Sequence, residues 1–167
     1  MLLDTGHIAP IGAYQTDWLD ETLADRQEKP HLIVANHVPA YPSYRPPEGL
    51  LGRFGTGEGN RLHWVPLFEK YNVDVVLEHH DHTFKRTVPL KGGLEDKYGI
   101  VYLGDGSWGQ IRPPVAPEKR PYLASVARAY HMSLHRLEGD VRYHIALEES
   151  GKVADVLATT KRPRKRG

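Results

Sequence analysis

Three histidines within four positions, His79, His80 and His82, follow the apolar run Val73-Asp74-Val75-Val76-Leu77 and the carboxylate of Glu78. A valine-rich run favours extended backbone. A chain leaving a sheet in that conformation points His80 and His82 to one side and His79 and Asp81 to the other. Neutral imidazole is the commonest protein ligand for zinc and iron, so a histidine pair spaced by one residue at a strand end is a metal-site candidate. The alternative is a polar loop that happens to contain histidines. A second site has the same design: His31-Leu32-Ile33-Val34-Ala35-Asn36 is a short apolar strand that ends on His37.

The elements around these residues place both sites together. Asn60 to Tyr71 reads as a helix in which Pro66 marks a kink or a restart. Strand, helical connection and strand make parallel neighbours, and open α/β sheets carry ligands at the carboxyl ends of their strands. His37, His80 and His82 then share one rim. The loop from Val38 to Gly59 starts directly after His37, and Tyr44, Arg45 and Arg61 are its candidates for contacting an anionic ester. Its glycine run, Gly55 to Gly59, has the spacing of neither a dinucleotide fingerprint nor a P-loop. The alternative is a mobile surface loop. Elsewhere Ala13 to Arg26 is predicted helical, with Trp18, Leu19, Thr22 and Leu23 as its stripe, and Gly99 to Leu103 as a third buried strand. Tyr130 to Leu137 and Val141 to Leu147 form a hairpin about Gly139-Asp140, followed by a strand over Lys152 to Leu157. The expectation is a mixed α/β (α+β) unit that ends in antiparallel strands, where His131, His135 and His144 need no chemistry.

Taken in order, these motifs resemble the calcineurin-like metallophosphoesterases, most closely the purple-acid-phosphatase-like branch. Ala35-Asn36-His37-Val38-Pro39 resembles that family's isolated histidine after a strand. His79-His80-Asp81-His82-Thr83 resembles its Gly-His-x-His block, and the match continues through Phe84-Lys85-Arg86-Thr87. Gly99 to Gly106 resembles the strand and glycine turn that follow, and Leu3-Asp4-Thr5-Gly6-His7 with Gln15 to Leu19 the segment upstream. The family's usual glycine before the histidine pair is His79 here. The resemblance implies half of a two-sheet β-sandwich flanked by helices over residues 1–160, with 161–167 a basic disordered tail. It implies hydrolysis of phosphate esters at two divalent or trivalent ions (Fe, Mn or Zn), with His37 and His80 on one ion and His82 serving the other. His7 and His79 would support these ligands rather than bind metal. Asp81 is expected to face away, and the turn at Asp105 to be structural.

Three further blocks of the family, Asp-x-His, Gly-Asp and Gly-Asn-His, are not found before Asp4. The chain is therefore expected to correspond to the downstream half of such an enzyme, with the N-terminal half as its natural partner. No general acid is assigned, and at most one metal ion is expected in this chain alone, because three imidazoles supply no anionic bridge. The alternative is a non-catalytic remnant or interaction domain. A half-sandwich would expose one apolar sheet face, which predicts self-association.

Composition narrows the remaining classes. A length of 167 residues suits one domain with a core, and 16 Gly with 13 Pro implies many turns. The net charge of +1 argues against a nucleic-acid surface, and the terminal run Lys161 to Arg166 has no aromatic residues to stack on bases. No window of about 18 apolar residues reads as a transmembrane helix. No signal peptide is visible and no cysteine is present, so the compartment stays open.

Overall fold

The computed structural model describes residues 1–49, 55–104 and 106–163. In chain order they form β1 (Leu2–Leu3), α1 (Tyr14–Asp25), β2 (Ile33–Asn36), α2 (Glu58–His63) and α3 (Val65–Lys70). β3 (Val75–Glu78), β4 (Phe84–Thr87), β5 (Leu90–Lys91), β6 (Leu94–Glu95) and β7 (Val101–Gly104) follow. The chain ends with β8 (Leu123–Ala127), β9 (His131–Glu138), β10 (Val141–Glu148) and β11 (Val153–Thr160). β1, β2, β3 and β7 lie parallel, with Ile33 opposite Val75 and Val75 opposite Val101. β4 and β8 complete a six-stranded sheet in antiparallel sense, in the order β1-β2-β3-β7-β4-β8. Helical connections join β1 to β2 and β2 to β3, and β7 returns parallel to β3 after the excursion through β4 to β6, so all four leave the sheet on one rim.

Both faces of this sheet are covered, which is why its central strands are continuous apolar runs. On one face, Leu19 and Leu23 of α1 and Phe68 of α3 pack with Trp64 against Val34, Val76 and Tyr102. On the other, Val75, Val101 and Leu103 meet Leu77 and Leu157. Leu157 belongs to the small sheet β11-β10-β9. Charge also ties the two sheets: Arg86 donates to both Asp155 carboxylate oxygens, at 2.7 and 3.0 Å. Arg142, fully buried, lies 3.4 Å from Asp74 and donates to Thr159 Oγ1 at 3.1 Å.

The expected strands and hairpin are present, and several details differ. The helix predicted over 60–71 is two helices broken at Trp64, with Pro66 in the first turn of the second, where a missing N–H costs nothing. Trp18 is half exposed; the buried stripe of α1 is Gln15, Leu19 and Leu23. β4, three of whose four residues are polar, and the short, small-residue β8 are read poorly from sequence, yet Lys85 and Thr87 are buried. The terminal strand runs on to Thr160, and Lys161–Pro163 is strapped to the body rather than trailing, while 164–167 lie outside the described residues. The loop after His37 is anchored where it is described, with Ala40 to Ser43 buried. Met132, Leu134, Val153 and Val156 share the outer face of the small sheet, each about half exposed, with no described element over them.

One buried ion pair joins strand exit, neighbouring strand and loop. Lys85 of β4 pairs with Glu78 at the end of β3 and donates to the Tyr41 carbonyl at 2.8 Å. The other Glu78 oxygen accepts the Ala40 N–H at 2.6 Å. Gly104 makes room for this arrangement, since a Cβ there would collide with the Lys85 stem. Removing one partner leaves an uncompensated buried charge. Lys85→Met is expected to cost about 3–5 kcal/mol in urea unfolding, and the double variant Lys85→Met/Glu78→Gln to recover most of the loss.

Candidate metal centre

His37 leaves β2 and His79–His82 leave β3, and the His79 N–H donates to the His37 carbonyl at 3.0 Å, which latches the two exits together. The chain does not continue extended after Glu78. It turns through two non-glycine residues in the left-handed region, His80 at φ +69° and His82 at φ +56°. His80 therefore reaches His37 by a turn, which corrects the expectation that strand alternation aims both histidines alike. The substitution of His79 for the family's glycine does not put His79 itself in the left-handed region. Strained backbone of this kind persists where the surroundings hold it, and it concentrates at functional sites.

Asp81 does the holding. Its carboxylate is buried and accepts the N–H groups of Ser43 and Tyr44 at 2.6 and 2.8 Å. Arg45 donates to it at 3.0 Å and to the His80 carbonyl at 2.6 Å. On the other side, the side chains of Asn36 and Asn60 both donate to the Val38 carbonyl, at 2.7 and 2.6 Å, and fix the turn after His37. Gly57, at φ +75°, packs against this turn; a Cβ there would collide with the Pro39 carbonyl.

The result is a pair of facing imidazoles. His37 Nε2 lies 2.8 Å from His80 Nδ1, with ring centroids 4.7 Å apart. The His7 ring stands 5.5 Å from that of His37. His80 is pushed down to about 4, first by burial, then by Arg45 and by His37. His37 is also lowered, first by lost hydration, then by the charges of His7, His79, His82 and Arg45. Both rings are thus neutral at neutral pH, the state that binds metal, with one donating and the other accepting.

His82 turns its Nδ1 to the Gln110 carbonyl at 3.1 Å and stands outside the pair. His79 contributes its backbone latch to His37. Tyr44 presents its ring to two guanidinium groups, Arg45 at 5.8 Å and Arg112 at 5.7 Å. Arg112, which sequence reasoning did not single out, is brought here by its N–H to the His82 carbonyl at 2.9 Å. Arg61 does not face the rim as expected. Its guanidinium is engaged with the carbonyls of Ala40, Thr56 and Pro47, so it clamps the loop instead.

Asp4, Glu78 and Asp81 are committed elsewhere. Asp4 accepts the N–H groups of Ile8 and Ala9 at 2.8 and 2.9 Å, Asp81 holds Ser43 to Arg45, and Glu78 pairs with Lys85. Asp105 lies outside the described residues. Among the described residues no group of three or more His, Asp or Glu side chains is arranged around a common point for a metal. Two imidazole ligands about 2.0–2.1 Å from one ion stand about 3 Å or slightly more apart, so the His37–His80 pair fits a single borderline dication after a small ring rotation. The donor chemistry fits half of a metal centre.

Comparison with known proteins finds phosphatase relatives over most of the chain. No family model matches the chain. Purple acid phosphatase 21 of Arabidopsis thaliana is 31% identical over 125 residues, covering 69% of this chain. A purple acid phosphatase of Glycine max is 33% identical over 128 residues, 64% of this chain. Acid phosphatase type 7 of Mus musculus is 27% identical over 172 residues, 84% of this chain. The chain is a relative of the purple acid phosphatases. It spans 27%, 26% and 37% of the lengths of these three relatives. Its fold is that of the yellow lupin purple acid phosphatase PPD1, a calcineurin-like fold, at a TM-score of 0.80 and 21% identity over 96% of this chain and 30% of that one. The same fold is present in GAP50, described as the anchor in the inner membrane complex of Plasmodium, at a TM-score of 0.77 and 16% identity over 98% of this chain and 49% of that one. Purple acid phosphatases are binuclear metal enzymes.

The depressed imidazoles set a pH dependence. A histidine whose folded pKa lies below its unfolded value of about 6.5 contributes stability that is fully present above that pH and is lost as pH falls toward the folded pKa. For His80, and for His144, which burial and His135 also push to about 4, the window is pH 6.5 down to about 4. Urea midpoints measured between pH 7.5 and 4.5 are expected to fall across it. His80→Asn, which tolerates the left-handed backbone, is expected to flatten that dependence.

Proposed function

We propose that this chain contributes the imidazole side of a metallophosphoesterase centre and acts in metal-dependent hydrolysis of phosphate esters. The observation that carries this reading is the pair of neutral imidazole nitrogens, 2.8 Å apart, at the exits of adjacent parallel strands in a relative of the purple acid phosphatases. His37 and His80 would hold one ion, Fe, Mn or Zn in divalent or trivalent form. His82, now on the Gln110 carbonyl, would serve a second ion once carboxylates from outside the described residues join the rim. A metal bound there supplies Lewis acidity toward a phosphoryl oxygen and lowers the pKa of its water. The chain's own residues do the rest: Arg45 and Arg112 flank Tyr44 and form a cationic wall for an anionic ester, and His7 stands beside His37 with its Nδ1 turned to Asp4 and Thr5. Arg61 has no part in this.

Two features support carboxylates arriving from another segment. Among the described residues no strand pairs with the outer edge of β1, and Leu2 is 84% exposed there. The outer apolar face of the small sheet offers a second contact for that segment or, alternatively, for a second copy of the chain. A second reading, a non-catalytic domain binding at most one metal, is favoured by the engagement of Asp4, Glu78 and Asp81 with the backbone and Lys85.

Calorimetric titration with zinc or manganese at pH 7.5 is expected to give about one tightly held ion, abolished in His37→Ala and in His80→Ala with circular dichroism unchanged. Two tightly held ions would contradict the half-site. Co-expression with the upstream region of a purple acid phosphatase relative separates the two readings. The enzyme reading expects hydrolysis of 4-nitrophenyl phosphate that requires His37. The non-catalytic reading expects none.

A further inference from the structure

At the opposite end of the sheets from the histidine rim, a cavity of about 740 Å³ opens between the amino ends of β3 and β7 and the end of β11. Its lining is basic. Lys91, Lys97 and Lys161 reach it, and among the described residues no carboxylate lies within ion-pair distance of any of the three. The one acid in the lining, Asp74, is buried and committed: it accepts the N–H of Leu32 at 2.7 Å and of Arg162 at 2.9 Å, and Arg142 lies 3.4 Å away. Nearby Asp96 accepts the Tyr98 N–H at 2.7 Å. Tyr98, 67% exposed, carries the Lys97 ammonium 4.8 Å from its ring centroid.

The end of the described chain is tied across this cavity. Arg162 donates to the carbonyls of Val73, at 3.0 Å, and Tyr98, and the Asn72 side chain donates to the Pro163 carbonyl at 3.0 Å. Like charges gathered on a concave wall, with the only lining acid already neutralised, repel one another until an anion enters.

We propose that this cavity is an anion site, separate from the histidine rim, for a compact small molecule carrying two or more phosphate groups. The volume lies within the range of small-ligand pockets and is much larger than a single phosphate fills. A concave pocket with one exposed aromatic ring favours a small polyanion over a nucleic-acid strand, which needs several stacking platforms.

The probe is inorganic tripolyphosphate, titrated calorimetrically into the full chain in EDTA at 0.1 M salt, so that metal at the histidines plays no part. Binding is expected at one site and to weaken as salt rises. Lys91→Glu/Lys97→Glu is expected to lower affinity by at least about tenfold, a loss of about 1.4 kcal/mol. His37→Ala is expected to leave it unchanged. Both lysines are exposed, so the variant keeps the fold, which circular dichroism checks. No detectable binding, binding indifferent to the lysine charges, or binding lost with His37 would each overturn the proposal. So would tighter binding of RNA or of anionic vesicles that tripolyphosphate fails to displace.

Discussion

The site depends on how the chain turns after β3. Two buried carboxylates, Glu78 and Asp81, bracket His79 and His80, and both are spent on holding backbone: Glu78 fixes Ala40 and Lys85, Asp81 fixes Ser43, Tyr44 and Arg45. A buried acid must find such partners or lose its charge. Here the partners are the loop that begins at His37. The acids therefore draw the two strand exits together, and the left-handed turn through His80 is the conformation compatible with both anchors. The imidazole pair is a consequence of that clamp. The same commitment explains why the histidine rim has no described carboxylate of its own.

Sequence made the rim legible and the clamp illegible. Apolar runs ending in histidine, a helical connection with a proline and a Gly-Asp turn translate directly into parallel neighbours and a terminal hairpin, because each rests on local periodicity. What sequence could not show was where polar side chains go once the chain folds. Lys85 in a run of polar residues reads as surface, yet it is buried because Glu78 waits opposite and Gly104 leaves space. Arg61 reads as an anion ligand and is instead consumed by three loop carbonyls. His82 shares a motif with His80 but, itself in the left-handed region, turns to a different neighbour. Long-range hydrogen bonds decide these cases, and no short window contains them.

The two ends of the sheet have opposite character. At the carboxyl end, neutral imidazoles lie beside a cationic wall of Arg45 and Arg112 around Tyr44, with backbone strain concentrated at His80 and His82. At the amino end, the buried pair Arg142–Asp74 joins the two sheets, and the half-buried Arg162 ties the terminal strap to them through its N–H to Asp74 and its guanidinium to the Val73 carbonyl.

The central claim is that His37 and His80, and not another histidine pair, take up the ion. His135 and His144 face each other across β9 and β10 with Nδ1 atoms 2.8 Å apart, a competing pair beside Arg142. Long-range proton–nitrogen NMR of the imidazole rings during zinc titration distinguishes them residue by residue. The account predicts that the nitrogens of His37 and His80 shift together and saturate near one equivalent, while those of His135 and His144 stay in place. Shifts led by His135 and His144, or none at His80, would contradict it.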